Sequence, residues 1–260
     1  MIAQLRQIFR YREAIRNFVV RDLKVRYSYS VLGFVWSMLN PLLLMLVFWV
    51  VFTFMLGQGL PRFPIYLLAG LLPWNFLSGS ILFATASITG NGALINRVYF
   101  PREVLPISTT LSNGVHFLLA LIPFFAILLA YRSPVGWSLV WLPMVLAVQL
   151  VFTLGLAFLL ASVNVYLRDT QQIVEVVIQA WFFMTPIIYS IDGISSHVLK
   201  LLVMVVNPMA SLVTNYRHIL YAGEQPDVGL LAVTAAEAVV IFLVGLVVFR
   251  YLSPRFAEEI

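Results

Sequence analysis

Six long apolar stretches follow one another along the chain, at about 31–56, 65–90, 106–131, 137–166, 173–191 and 228–250. Each is continuous rather than alternating and much longer than the roughly 9–11 residues of a barrel strand, so the pattern predicts membrane-crossing helices. Only Leu167-Arg168-Asp169-Thr170-Gln171-Gln172 separates the fourth stretch from the fifth. Between the fifth and sixth, an apolar run at 198–206 is too short to span and predicts a re-entrant or interfacial segment. Residues 208–223 follow as an amphipathic helix, with Met209, Leu212, Val213, Tyr216 and Leu220 on one side and Ser211, Asn215, Arg217 and His218 polar. Together they predict an external re-entrant helical hairpin over about 192–226. Ahead of the first span, Leu5, Ile8, Phe9, Ile15, Phe18 and Val19 recur at helical spacing with arginines between them. That is the pattern of a basic amphipathic helix lying in the membrane interface. The expected fold is all-α: an interfacial helix within 1–30, a transmembrane domain of six helices over 31–252, and a tail at 253–260. No cleaved signal peptide is expected, because the first apolar run begins near residue 31 behind a long charged segment.

Composition agrees: of 260 residues, 62% are hydrophobic and 10% charged, against about 45–50% and about 25% in soluble domains. The mean hydropathy is +0.96. There is no cysteine, which removes disulfides, thiolate metal sites and cysteine nucleophiles. His116, His197 and His218 are far apart without ligand spacing, so no metal centre is expected. The net charge of +5 is a matter of topology rather than of nucleic acid. Six spans put both termini on one side, and that side carries Arg6, Arg10, Arg12, Arg16, Arg21, Lys24, Arg26, Arg97, Arg102, Arg168, Arg250 and Arg255. The other side has only Arg62, Arg132, Lys200 and Arg217. Lys/Arg enrichment marks the cytoplasmic face, so both termini are expected there.

Polar groups inside the spans mark two faces. Asn75, Ser78, Thr85 and Thr89 share one side of the second span, and Gln172, Glu175, Gln179, Phe182, Pro186 and Tyr189 form a stripe along the fifth. Such groups turn toward protein or water, as interhelical glue or as pore lining. The second span suits glue; the fifth, which combines a carboxylate, amides and aromatics, suits a pore. Glu237 lies within the sixth span, where a carboxylate has either a functional role or a structural partner. Pro41, Pro73, Pro123, Pro143 and Pro186 are expected to kink their spans.

Several motifs occur in order along the chain. Arg21-Asp22-Leu23-Lys24-Val25-Arg26-Tyr27 leads into Val31-Leu32-Gly33-Phe34-Val35-Trp36-Ser37-Met38-Leu39-Asn40-Pro41. Leu72-Pro73-Trp74-Asn75-Phe76 and Val98-Tyr99-Phe100-Pro101-Arg102-Glu103-Val104-Leu105-Pro106 come next. Asn164-Val165-Tyr166-Leu167-Arg168-Asp169, Thr185-Pro186-Ile187-Ile188-Tyr189 and Asn207-Pro208-Met209 complete the set. In this the chain resembles the ABC-2 permeases that export O-antigen, capsule or teichoic acid polysaccharides.

The resemblance implies a homodimer of this permease with two copies of a separate cytoplasmic ATPase, which would use ATP and Mg; this chain would bind no cofactor or metal and no nucleic acid. The sequence has no G-x-x-x-x-G-K-[ST] phosphate loop of its own. The implied substrate is a lipid-linked polysaccharide of the undecaprenyl-diphosphate type, moved across the bacterial cytoplasmic membrane among its lipids. Arg21, Lys24 and Arg26 are then expected to grip the lipid phosphate, beyond anchoring the helix. Trp36, Phe48, Phe52, Gln179, Phe182 and Tyr189 are expected to supply weak contacts along a sugar channel. The connection 91–105 is expected to dock on the ATPase through Val98, Tyr99, Phe100, Arg102 and Glu103, and the hairpin to gate the exit through Met209, Leu212 and Tyr216. Two other readings stay open: an ABC-2 exporter of a small amphipathic molecule, and a membrane-embedded glycosyltransferase or lipid-modifying enzyme. The enzyme lacks support, since no expected cytoplasmic loop clusters carboxylates or histidines.

Overall fold

A computed structural model describes residues 11–27, 33–55, 61–97, 100–133, 136–191 and 196–260, and among these residues it contains helices and no strand. The first helix, α1, runs Arg12–Tyr27; Leu5, Ile8 and Phe9 of the expected amphipathic helix lie outside the described residues. Ile15, Phe18 and Val19 are half-buried while Arg12, Arg16 and Arg21 are exposed, so the helix lies on the bundle by its apolar side. Next, α2 (Trp36–Val50) continues through a π-helical turn at Val51–Met55 and contains Pro41. Helix α3 (Phe63–Thr85) has Pro64 in its first turn, where a missing N–H costs nothing, and Pro73 inside. Nearly every side chain of α3 from Phe63 to Leu77 is buried, which makes it the axis of the main core.

Around that axis pack α4 (Val104–Ala130), with Pro123 inside, and α5 (Leu142–Tyr166), introduced by a 3-10 turn at Trp137–Trp141 with Pro143 in its first turn. Helix α6 spans only Thr170–Met184. The expected stretch ran to 191, and Pro186 explains the difference. A residue before proline is pushed out of helical geometry, and Thr185 is indeed extended at φ −99°, ψ 132°. A helical hairpin follows as α7 (His197–Val206) and α8 (Pro208–Arg217), bent by 104° at Asn207. A π-helical turn at His218–Ala222 extends α8, and Gly223 closes it at φ 74°, a conformation that suits glycine. Last comes α9 (Val228–Leu252), followed by turns at Ser253–Arg255 and Phe256–Glu259.

Among the described residues, four helices are long and apolar enough to cross a membrane: Phe63–Thr85, Val104–Ala130, Trp137–Tyr166 and Val228–Glu259. The bent hairpin pair would make a fifth. The first and fifth of the six expected spans are shorter here. Met38–Phe54 is a shorter apolar helix, and the 15 residues of α6 rise roughly 22 Å at about 1.5 Å each, short of a hydrocarbon core of about 30 Å.

The closest helix crossing is that of α5 with α9. A Cβ added at Gly155 would fall 2.6 Å from the Phe242 nitrogen, and one at Gly245 would fall 2.1 Å from the Gly155 carbonyl oxygen. Two glycines thus let the backbones touch, the close approach by which helices associate where no water drives them together. Gly245→Ala should cost about 1–3 kcal/mol through overpacking, seen as a lower thermal midpoint in detergent. Gly90→Ala, where nothing lies within 4 Å of the new carbon, should leave that midpoint in place.

Candidate functional site

Helices α1 to α4 enclose an open cleft of about 1140 Å³. Trp36 and Asn40 of α2, Asn75 and Ser78 of α3, and Asn113 and His116 of α4 face it, and Arg21 of α1 stands at one end. Arg21 is held in place from three sides. Its Nη2 lies 2.9 Å from Asp22 Oδ1, its Nη1 donates to Asn91 Oδ1 at 3.1 Å, and its guanidinium sits 4.7 Å from the Phe18 ring centre. Asn91 is fixed in turn by donating to the Ser87 carbonyl at 2.8 Å. Lys24 is exposed on α1, and the side chain of Arg26 lies outside the described residues.

The polar face expected on the second span divides in two. Asn75 and Ser78 open into the cleft. Thr85 and Thr89 are glue: the Asn164 amide of α5 donates to the Thr85 carbonyl at 3.0 Å and the Thr89 hydroxyl at 3.3 Å.

Within one chain the expected channel residues do not share a passage. Trp36 lines the cleft. Phe48 lies 6.3 Å from Phe52, which stacks on Phe63 at 5.6 Å, so that pair packs against α3. Phe182 meets Trp74 edge-on at 5.7 Å. Tyr189 has left the stripe altogether, because the helix ends before Pro186; its hydroxyl donates to the Phe183 carbonyl at 3.1 Å and its carbonyl accepts from the Tyr66 hydroxyl at 2.9 Å. Gln172, Glu175 and Gln179 remain on an exposed face of α6, with Ile173, Val176 and Val177 beside them.

The expected gate residues lie in the core. Met209, Leu212 and Tyr216 are wholly buried, and so are Ser211 and Asn215 on the polar side. The reason is that α8 is wedged among α3, α5 and α9 rather than laid on a surface. Tyr216 donates to Gln149 Oε1 at 2.7 Å while Gln149 Nε2 donates to the Pro73 carbonyl at 2.7 Å, a bridge that joins three helices. Thr234 of α9 donates to the Ser211 hydroxyl at 2.6 Å. Asn207 organises the bend: its Oδ1 accepts from the Met209 and Ala210 amides, capping α8, and from Trp181 Nε1 at 2.8 Å, while its Nδ2 donates to Thr185 Oγ1 at 3.1 Å. Arg217, also buried, donates from Nη1 to the Pro186 carbonyl at 2.5 Å and from Nη2 to the Ile187 carbonyl at 2.6 Å, with its guanidinium 3.6 Å from the centre of the Tyr66 ring. Arg217→Met should therefore destabilise the protein by about 2–6 kcal/mol, counting two orphaned buried carbonyls at about 1–3 kcal/mol each. A thermal melt in detergent reads this directly, and Arg217→Lys should fall between the two.

At the other end of the bundle, the 91–105 connection is tied to the tail. Phe100 packs 5.9 Å from Phe18. Arg102 donates to the Ser253 carbonyl and lies 5.9 Å from the Phe256 ring centre. Glu103 pairs with Arg250 at 3.5 Å. Val98 and Tyr99 lie outside the described residues. Residues 253–260 are not a loose tail: Phe256 is buried in a second core with Ile88, Leu105, Phe158 and Phe249. Ile260 rests on Gly92, where any Cβ would come within 2.2 Å of it. Among the described residues no three His, Asp or Glu side chains gather as a metal site. Glu237 is half-buried in α9, with its Oε2 buried and unpartnered.

The whole chain aligns with an "O-antigen export system permease protein RfbA" of Myxococcus xanthus, 38% identical over 260 residues and all of both sequences. A Klebsiella pneumoniae protein of the same name is 30% identical over 239 residues, 92% of this chain and 91% of that one. The "Polysialic acid transport protein KpsM" of Escherichia coli is 22% identical over 247 residues, 89% of this chain and 90% of that one. The family profile described as "ABC-2 type transporter" matches residues 13–221. With the multi-pass apolar bundle already described, these similarities establish that the chain is a membrane-embedded transporter subunit and belongs to the ABC-2 type transporter family.

Proposed function

We propose that this chain is the permease subunit of an ABC exporter of a lipid-linked cell-surface polysaccharide, driven by a separate ATPase. The full-length similarity to a protein named as an O-antigen export permease carries the proposal. The twelve-to-four distribution of Lys and Arg supports a cytoplasmic-membrane topology of six segments with both termini inside. In that topology α2 and α6 are crossing segments shortened by their neighbours, and the hairpin α7–α8 lies on the outer side. The domain plan follows: an interfacial element within 1–30, a transmembrane unit over 31–252, and 253–260 at the cytoplasmic surface.

The outward face of α6 supports a homodimer. Gln172, Glu175 and Gln179 are exposed on a helix otherwise bounded by apolar surface, and such groups are costly against lipid. Two copies facing each other there would form a polar conduit, with Phe182 and Tyr189 near its outer end offering aromatic faces to sugar rings, while Trp36, Phe48 and Phe52 lie away from that face. Polysaccharide passage asks for many weak contacts rather than one tight site. Arg21, Lys24 and Arg26 attract the lipid diphosphate at the cytoplasmic interface. The hairpin, anchored by Met209, Leu212 and Tyr216, gates the exit as a unit rather than through those side chains.

Two copies of an ATPase engage the 91–105 connection, with Val98, Tyr99 and Phe100 as apolar anchors. Arg102 and Glu103 act on the other side of that loop, holding it to Ser253, Phe256 and Arg250 so that a push on the loop moves α9 with it. Reconstituted with its ATPase in proteoliposomes, the chain should show ATP hydrolysis stimulated by lipid-linked glycan, and glycan should become accessible on the far side. Absence of both effects would remove the proposal. In the same assay Arg102→Glu should keep most ATP hydrolysis yet lower transport by roughly 5–150-fold, the range given by about 1–3 kcal/mol of lost coupling.

A further inference from the structure

The cleft among α1 to α4 lies inside a single protomer, apart from the face of α6 on which a second copy would sit. Its chemistry is divided along its length. At one end stands Arg21, its guanidinium fixed by Asp22 and Asn91. Among the described residues Asp22 is the one carboxylate facing the cleft, and it is already paired with Arg21. Beyond lie hydroxyls and amides from two helices, Ser78 on α3 and Ser112 and Asn113 on α4 among them, interleaved with Trp36 and Phe76.

Two observations point to an occupant. Ser112 faces the cleft and is 1% exposed, yet its Oγ has no hydrogen-bond partner. A buried hydroxyl without a partner costs free energy that a ligand oxygen would recover. Gly79 lies opposite Asn113, and a Cβ there would approach Asn113 Oδ1 to 3.0 Å, so the absent side chain keeps the passage between α3 and α4 open. A simple lipid tail needs neither feature. A phosphorylated polyol needs both: an arginine for the phosphate, and hydroxyl and amide groups flanked by aromatic rings for the polyol.

We infer that this cleft binds the phosphorylated polyol head of an anionic membrane lipid, with the phosphate at Arg21 and the polyol reaching toward Ser112. Two lipids carry that chemistry: the lipid-diphosphate glycan of the proposed export reaction and a resident glycerophosphate lipid such as phosphatidylglycerol. The first source rests on the export reading; the second does not.

Site-specific photocrosslinking from position 75, at the exposed lip of the cleft, tests this in the full-length protein reconstituted into nanodiscs. One set of discs holds phosphatidylcholine alone, one adds phosphatidylglycerol, and one adds a defined undecaprenyl-diphosphate disaccharide. Adducts identified by mass spectrometry should favour at least one of the two anionic lipids over phosphatidylcholine by roughly tenfold, as charge-assisted contacts imply. Arg21→Gln and Ser112→Leu should each abolish most of that preference, and Ser78→Leu on the half-exposed wall serves where Ser112→Leu fails to fold. The lipid recovered identifies the source. Equal adducts with phosphatidylcholine, or a preference untouched by these substitutions in folded protein, would overturn the inference. Transport separates it from the export reading. A complex that exports glycan but shows no head-group preference at position 75 overturns the cleft alone. One that binds phosphatidylglycerol there but moves no glycan sinks the export reading alone.

Discussion

The hairpin end of this protein depends on one guanidinium. Residues 185–191 leave the helix at Pro186 while still within the packed bundle, and irregular backbone in such a place must find partners inside the protein. Arg217 supplies them by donating to the carbonyls of Pro186 and Ile187, and the Tyr66 ring lies against its charge. Tyr66 also holds the Tyr189 carbonyl. Pro186 ends α6, and without that clamp the carbonyls it frees would be orphaned and the hairpin would have no fixed base. Asn207 repeats the solution one step further on, capping α8 while tying its start to Trp181 and Thr185. The hairpin is therefore an extension of the core, held by desolvated polar contacts that are strong because no water competes for them.

The opposite end is joined by different means. Glycines at 155 and 245 bring α5 and α9 into backbone contact, and at the foot of α9 the Glu103–Arg250 pair and the Arg102 contacts gather the 91–105 connection to the same helix. Phe256 seals the junction from below, within a core separate from the one around α3. Motion applied to the connection would reach α9 and α5 together through packed atoms, and the hairpin, wedged by α8 among α3, α5 and α9, rests on those same two helices. The two ends are thus held by different chemistry but share α5 and α9.

The helices were plain in the sequence because continuous apolar runs have one stable answer in lipid, and the four longest helices fall where hydropathy puts them. Pro186 was legible as an interruption; that it would end α6 outright, and so carry Tyr189 off the Gln172–Phe182 stripe, depended on Arg217 being present to receive the freed carbonyls. Arg217 itself read as one polar residue of an amphipathic helix. Periodicity separates two sides of a helix but cannot tell that neighbours will cover both, which is why the burial of Met209, Leu212 and Tyr216 together with Ser211 and Asn215 was not legible. Gln149 gave no signal at all, being one amide in a long apolar run whose value comes from Pro73 and Tyr216, each more than sixty residues away. The charges at Arg102 and Glu103 were visible, but their partners at 250–256 lie far along the chain.

Polar side chains in this protein fall into two populations, and the division bears on transport. Gln149, Asn207, Tyr216 and Arg217 spend their hydrogen bonds inside the chain and fix its shape. Gln172 and Gln179 on α6, and Asn75 and Ser78 in the cleft, instead turn toward open space at the level of the apolar helices. Groups of the second kind are costly against hydrocarbon unless water, ligand or a second protein surface meets them. They lie on two different sides of the protomer, one a convex helix face and the other a concave pocket. A convex polar face suits a second copy and the passage between the two, while a concave pocket ending in a fixed arginine suits a head group held by one copy alone. The proposed export of a lipid-linked polymer would use both surfaces, since the lipid phosphate and the glycan must be handled at once and neither environment serves the other.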